Sequence, residues 1–161
     1  MIASDSIRVS VTVPTDPTSA FAIFTEETDL WWRKGPRFRV AGRRPGVLLF
    51  EAGVGGRLME QFETNSETQV HVTGSITAWE PPHRLTFIWR GANFAGSEQT
   101  EVEITFEALG NRTQVTVRHH GWAALRGDHP ARHGLEGAAF TRMIGLWWGE
   151  LMTAFREKIA V

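Results

Sequence analysis

Near the start of the chain Ile7, Val9, Val11 and Val13 alternate with Arg8, Ser10 and Thr12, the period of a strand with one face buried. Pro14 ends it. Asp16-Pro17 then sets an N-cap residue before a proline at the first helical position. The stretch AFAIFTEETDLWW predicts one or two short helices with Phe21, Phe24, Leu30 and Trp31 turned inward. Six strand-like segments follow, separated by turn residues: VLLFEA, GGRLMEQFE, QVHVTGSITAWE, RLTFIWR, TEVEITFEA and RTQVTVRHH. Alternation is strongest where Val102, Ile104 and Phe106 oppose Glu101, Glu103, Thr105 and Glu107, and where Leu85, Phe87 and Trp89 oppose Thr86 and Arg90. Such strands are antiparallel, dry on one side and wet on the other. Pro81-Pro82 and Gly110-Asn111 supply tight breaks, as in a meander.

The period changes for Gly137 to Val161. Wound at about 100° per residue, Phe140, Met143, Ile144, Trp147, Leu151, Ala154 and Phe155 fall on one arc, opposite Arg142, Gly145, Gly149, Thr153 and Arg156. This is an amphipathic helix of roughly 37 Å, at about 1.5 Å per residue. The order is one strand, two short helices, six strands and one long helix, an α+β arrangement in which a curved antiparallel sheet grips the last helix.

Composition narrows this picture. A chain of 161 residues with 42% hydrophobic content suits one well-buried core, hence a single domain over 1–161. Its net charge of -1 provides no global field to attract nucleic acid or an anionic membrane, and neither is expected as a partner. There is no cysteine, which fits a reducing compartment. The first residues lack a signal-peptide pattern and no apolar run approaches a membrane span, so a soluble cytoplasmic protein is expected. Seven Trp and ten Phe with no Tyr give an aromatic interior that offers indole N–H donors but no phenol. From Arg33 to Arg44 stand six basic residues and no acid. They read either as an anion or partner patch or as solvated edge strands and turns, and the neutral overall charge favours the second.

Three pieces in order resemble a known family: Gly55-Gly56-Arg57, the Glu-Pro-Pro-x-Arg-Leu of Glu80 to Leu85, and the His-x-Gly-Trp of His119 to Trp122. The long helix follows them, with its Trp148-x-x-Leu151. Together they resemble the homologues of the heat-shock-protein 90 ATPase activator (Aha-type), within the START-like, helix-grip superfamily also called SRPBCC or Bet v 1-like. The resemblance covers nearly the whole chain. It implies a seven-stranded sheet wrapped round the last helix with a hydrophobic cavity between, and says little about reaction, because relatives include carriers, cyclases and a co-chaperone domain. It contains no counterpart of the additional N-terminal domain of full-length eukaryotic activators, which ranks co-chaperone activity low.

On that geometry the expected cavity wall takes Trp31 from the short helices and Phe50, Phe87, Trp89, Phe106 and His119 from the strands. Trp122 comes from the following loop, and Phe140, Met143 and Trp147 from the last helix. A solid aromatic core is the alternative; the resemblance favours a cavity. His119, inward with Val115 and Val117, reads either as a proton-transfer group or as a ring hydrogen-bonded to backbone or to a Trp N–H at the sheet edge, the latter favoured. Glu60 either shares an inward face with Leu58 and Phe62, needing a partner such as Arg57, Arg84 or Arg90, or lies in water, and the solvated reading is favoured. His71 carries the same ambiguity. His129 and His133 stand four apart, but Pro130 and Gly134 make that stretch a loop, so no metal is expected, and no phosphate-loop, dinucleotide or nucleophile motif calls for a cofactor. The long connection Ala123 to Glu136 is either a lid, with Trp122 and Leu125 as its apolar contacts, or a plain surface loop.

These features order three functions: a binding protein for a small hydrophobic molecule, aromatic or lipid-like; a polyketide cyclase/dehydratase-like enzyme using the same cavity, with His119 and Glu60 or His71 transferring protons; and a module that stimulates a chaperone ATPase through Arg33 to Arg44. A homodimer is compatible with each.

Overall fold

A computed structural model describes residues 6–160 apart from positions 92, 127 and 136. The chain runs β1 (Ser6–Val13), α1 (Pro17–Glu26), α2 (Thr28–Trp31), β2 (Gly46–Phe50), β3 (Arg57–Thr64), β4 (Glu67–Glu80), β5 (Arg84–Trp89), β6 (Thr100–Leu109), β7 (Arg112–His120) and α3 (Gly137–Ala160), with short 3-10 turns at Trp122–Ala124 and Pro130–Arg132. The strands form one antiparallel sheet in the order β1-β7-β6-β5-β4-β3-β2, a meander whose last strand pairs with the first. The α+β helix-grip architecture expected above is the one observed.

Register follows from burial. Val9 and Ile104 both face Val117, Phe106 faces Val115, and Phe87 faces Val102, so every second residue of the central strands enters the core. The β3–β4 hairpin is closed by Asn65 and Ser66, both at positive φ, the conformation that a two-residue turn between right-twisted strands requires. Gly74 sits where β4 bends past β5: a Cβ there would lie 1.7 Å from the Ile88 carbonyl oxygen. The Gly55-Gly56 pair docks on β4, the Gly55 N–H donating to the Ile76 carbonyl and the Ile76 N–H to the Gly56 carbonyl.

Asp16 caps α1 by accepting from the Ser19 N–H at 2.7 Å, with Pro17 behind it. Phe21, Phe24 and Trp31 are buried as expected, but Leu30 is 67% exposed. α2 is a single turn, and its inward side is taken by Thr28 and Trp31, both donating to the Phe24 carbonyl.

Two further expectations need correction. The segment 33–44 forms turns and coil rather than edge strands, and much of its charge is engaged. Arg39 is buried against Asp29 and the Trp32 carbonyl, and Arg37 pairs with Glu150 of α3. Glu60 is not in water: it is 3% exposed, and its carboxylate accepts from the Val40 N–H at 2.6 Å and the Ala41 N–H at 3.4 Å. Leu58, Glu60 and Phe62 are buried in alternation, as the inward-face alternative had it, with backbone N–H groups in place of the expected arginine as partners; only Met59, beside the β3–β4 register shift at Leu58/Met59, departs from the pattern.

Candidate functional site

The face of α3 that meets protein is Phe140, Trp148, Leu151, Met152 and Phe155. At about 100° per residue this stripe is centred roughly 60° from the arc drawn from sequence. Met143 and Trp147, on that arc, sit on its flank and are only partly buried. The flank remains apolar because it borders a hollow. A cavity of about 490 Å³ opens there, walled by Trp89 of β5, His119 of β7, Trp122 and Phe94 of the loops, and Met143, Ile144, Trp147 and Trp148 of α3. The exposed residues Pro36, Arg37, Asn93 and His133 stand at its mouth.

A second hollow of about 440 Å³ shares that mouth and both Trp89 and Trp147, then runs toward β3 and β4, where Glu60, His71, Thr73, Arg39 and Trp32 line it. Trp89 and Trp147 meet edge-on, with centroids 5.7 Å apart, between the two lobes. Trp147 is held by its N–H donating to the Arg37 carbonyl at 2.7 Å and by stacking on Phe38.

Five of the expected wall residues, Trp89, His119, Trp122, Met143 and Trp147, meet at the first lobe. Phe140 stands behind Trp122, centroids 5.1 Å apart. Trp31, Phe50, Phe87 and Phe106 belong instead to the interlocked core: Phe24 touches Trp31, Phe50, Phe106 and Phe155, and Phe50 meets Phe87 edge-on. Rings from opposing elements fill the space at that end, leaving no wall to line. Trp148 and Phe94, absent from the expected wall, belong to it. The spacing of Trp148 from Phe140, two helical turns and a little more, carried that signal; the loop residue Phe94 had none.

His119 is 2% exposed and held on both sides. The Trp148 indole donates to its Nδ1 at 3.1 Å, and Thr100 Oγ1 lies 2.7 Å from its Nε2. An indole N–H can only donate, so Nδ1 accepts and the ring proton sits on Nε2, donating to Thr100, whose hydroxyl reaches the Trp89 carbonyl. Burial, with a smaller contribution from His120, pushes the His119 pKa down to about 3. The ring is therefore a neutral strut with both nitrogens occupied. Burial also lowers the pKa of His71, against an opposing pull from Glu60.

Two buried polar atoms have no hydrogen-bond partner among the described residues, His71 Nε2 and Trp122 Nε1. Trp122, 2% exposed, lines the first lobe and His71 the second. The connection above the first lobe is tied down: Glu98 accepts from Arg126 at 2.6 Å and lies 2.8 Å from His129 Nε2. Arg132 donates to the Trp122 and Leu125 carbonyls. Trp122 and Leu125 are buried, while positions 127 and 136 of the predicted Ala123–Glu136 loop lie outside the described residues. The other nitrogen of His129 accepts from the Ala131 N–H. Among the described residues no group of three or more His, Cys, Asp or Glu could hold a metal ion, and no helix is long and apolar enough to cross a membrane.

Known proteins resemble this chain in sequence pattern and in shape. The family described as "Activator of Hsp90 ATPase homolog 1-like protein" matches residues 14–143. No curated protein matches the sequence. PFC0360w, an HSP90 activator from Plasmodium falciparum, superposes with a TM-score of 0.61 at 16% identity over 92% of this chain and 91% of its own. The Aha1 dimer of Colwellia psychrerythraea gives a TM-score of 0.58 at 16% identity over 96% and 95%. DynU16, from the dynemicin biosynthetic locus, gives 0.63 at 16% identity over 98% of this chain and 48% of its own.

Proposed function

The chain belongs to the family of activator of Hsp90 ATPase homolog 1-like proteins, and from that premise we propose that it is a binding protein for a small, largely apolar molecule, aromatic or lipid-like. The guest lies between the sheet and α3, in the lobe walled by Trp89, Trp122, Trp147 and Trp148. The observation that carries this reading is the unfilled space of about 490 Å³ beside an apolar helix flank, a volume within the range of small-molecule sites, roughly 300 to 1,000 Å³. A flat guest there has indole faces on several sides, and the connection from Ala123 to Glu136 serves as its lid. The protein works in the cytoplasm, as a monomer or, like the Colwellia relative, as a dimer.

Titration with fatty acids, sterols, polyketides and simple arenes should give a saturable change in tryptophan emission. Met143→Trp, which narrows the lobe, should weaken binding read by calorimetry while leaving the unfolding midpoint in place. A panel with no saturable response overturns the reading.

The family name and the Plasmodium relative favour a second reading, stimulation of a chaperone ATPase. Its surface would be the exposed Lys34, Arg43 and Arg44, which border a separate hollow of about 630 Å³. ATPase rates with the wild-type chain and with Arg43 and Arg44 replaced by Glu separate the two. An enzyme like those expected for biosynthetic loci ranks lower, since both nitrogens of His119 are already engaged. Turnover lost in His119→Ala with binding intact would restore it.

A further inference from the structure

Beyond the apolar lobe the same mouth leads to a different chemistry. Glu60 and His71 are cross-strand partners on β3 and β4, so their side chains leave the sheet on the same side, and both line the second lobe together with Thr73. The two Glu60 oxygens already accept from the Val40 and Ala41 N–H groups, and their remaining lone pairs are acceptors open to a group in the lobe. Beside it His71 Nε2 is shielded from solvent and has no partner among the described residues. Leaving such an atom unsatisfied costs free energy that a bound group can recover.

Arg39 also borders this lobe, yet its guanidinium is committed elsewhere. It donates to the Asp29 carboxylate and to the Asp29, Trp32 and Arg33 carbonyls. At the mouth, Arg37 is paired with Glu150. The lobe thus presents an acceptor and an unsatisfied imidazole nitrogen side by side, and among the described residues that line it no uncommitted cation lies deep within.

We infer that Glu60 and His71 form a subsite that reads a neutral hydroxyl on the end of the guest reaching past Trp89 and Trp147, and that disfavours a carboxylate there. A hydroxyl is both donor and acceptor, so it can give its proton to a Glu60 oxygen while accepting from His71 Nε2–H. A carboxylate has no proton for Glu60 and sets acceptor against acceptor. A bare hydrocarbon leaves His71 Nε2 unsatisfied. The guest class is therefore an extended apolar or aromatic molecule with a terminal phenol or alcohol, its rings in the indole lobe and its hydroxyl at the β3–β4 end. This deepens the binding role proposed above and rests on it.

The test is calorimetric titration of the intact chain with three rigid probes of equal length: biphenyl, 4-hydroxybiphenyl and biphenyl-4-carboxylate. 4-Hydroxybiphenyl should bind at least tenfold more tightly than biphenyl, and the carboxylate more weakly than either. In His71→Phe the preference for 4-hydroxybiphenyl over biphenyl should fall to within about twofold, with an unfolding midpoint near that of the wild type showing that the variant folds. Glu60→Gln keeps an acceptor for the Val40 N–H and supplies an amide donor, so it should bring the carboxylate up to or above biphenyl. Equal affinity for all three probes overturns the hydroxyl subsite alone. A hydroxyl preference that persists unchanged in both variants overturns the assignment to these residues. Absence of binding by every probe removes the binding role and the subsite with it.

Discussion

The interior has two aromatic ends that differ in how their demands are met. At one end Phe24 meets Trp31, Phe50, Phe106 and Phe155 at centroid distances of 4.8 to 6.2 Å, and Trp31 gives its N–H to a backbone carbonyl. At the other, Trp89, Trp122, Trp147 and Trp148 stand around open space, and the Trp122 N–H has no partner among the described residues. Both ends are rich in rings, so ring content does not separate core from site. What separates them is whether an opposing element arrives to fill the gap. α1 and α2 close over the first end, whereas the second has only loops. Close packing of rings stabilises the fold. Rings that keep one side against unfilled space are available to a guest.

Substitutions at the two ends should therefore have opposite signatures. Phe24→Ala removes the hub of the filled end and should cost about 3–5 kcal/mol in chemical denaturation, with probe affinity in the other lobe nearly unchanged. Trp147→Ala, on the partly exposed flank, should cost far less stability and most of the affinity. Equal stability losses at both positions would erase the distinction.

The boundary between the ends can be followed with pH through His119. The unfolded imidazole takes up a proton as pH falls through about 6.5, while the folded one stays neutral until about 3. The unfolded state thus binds protons first, and stability should drop by about 2–3 kcal/mol between pH 6.5 and 4.5. His71, also shifted down, adds with the same sign. Below that window Asp29 and Glu98, held under the usual carboxylate range, take over. Denaturation midpoints measured across this range should flatten in His119→Gln; a slope unchanged from wild type would mean that the ring titrates normally.

The smallest effect concerns the lid. Glu98→Gln weakens the tie to Arg126 and His129 without touching either aromatic end. It should raise the probe dissociation rate several-fold in stopped flow and leave the unfolding midpoint little changed. Unaltered exchange kinetics would leave the connection an ordinary surface loop.

Much of the molecule was legible before its coordinates. In strands such as β6, alternation holds from Thr100 to Glu107 because one face meets the core and the other meets water. Asp16-Pro17 announced α1 because capping is a local interaction. Legibility failed where the decision was not local. Glu60 is buried on one face with Leu58 and Phe62, and the burial is sustained by the fold-back of 33–44, which brings two backbone N–H groups to the carboxylate; that meeting is not encoded in the spacing of its neighbours. Leu30 faces out because one helical turn has room for only part of its apolar set.

Sequence periodicity by itself determined the α+β class, the strand set, the inward placement of His119 and the existence of a long apolar helix, since each depends on side-chain direction along one element. Tertiary structure alone decided three things at the site: the rotation that puts Trp148 rather than Trp147 in the buried α3 stripe, the division of the rings into filler and wall, and the meeting of Glu60 with His71 behind Trp89. Those outcomes depend on distances between elements remote in sequence, and hydrophobic burial, which has no direction of its own, leaves them to packing.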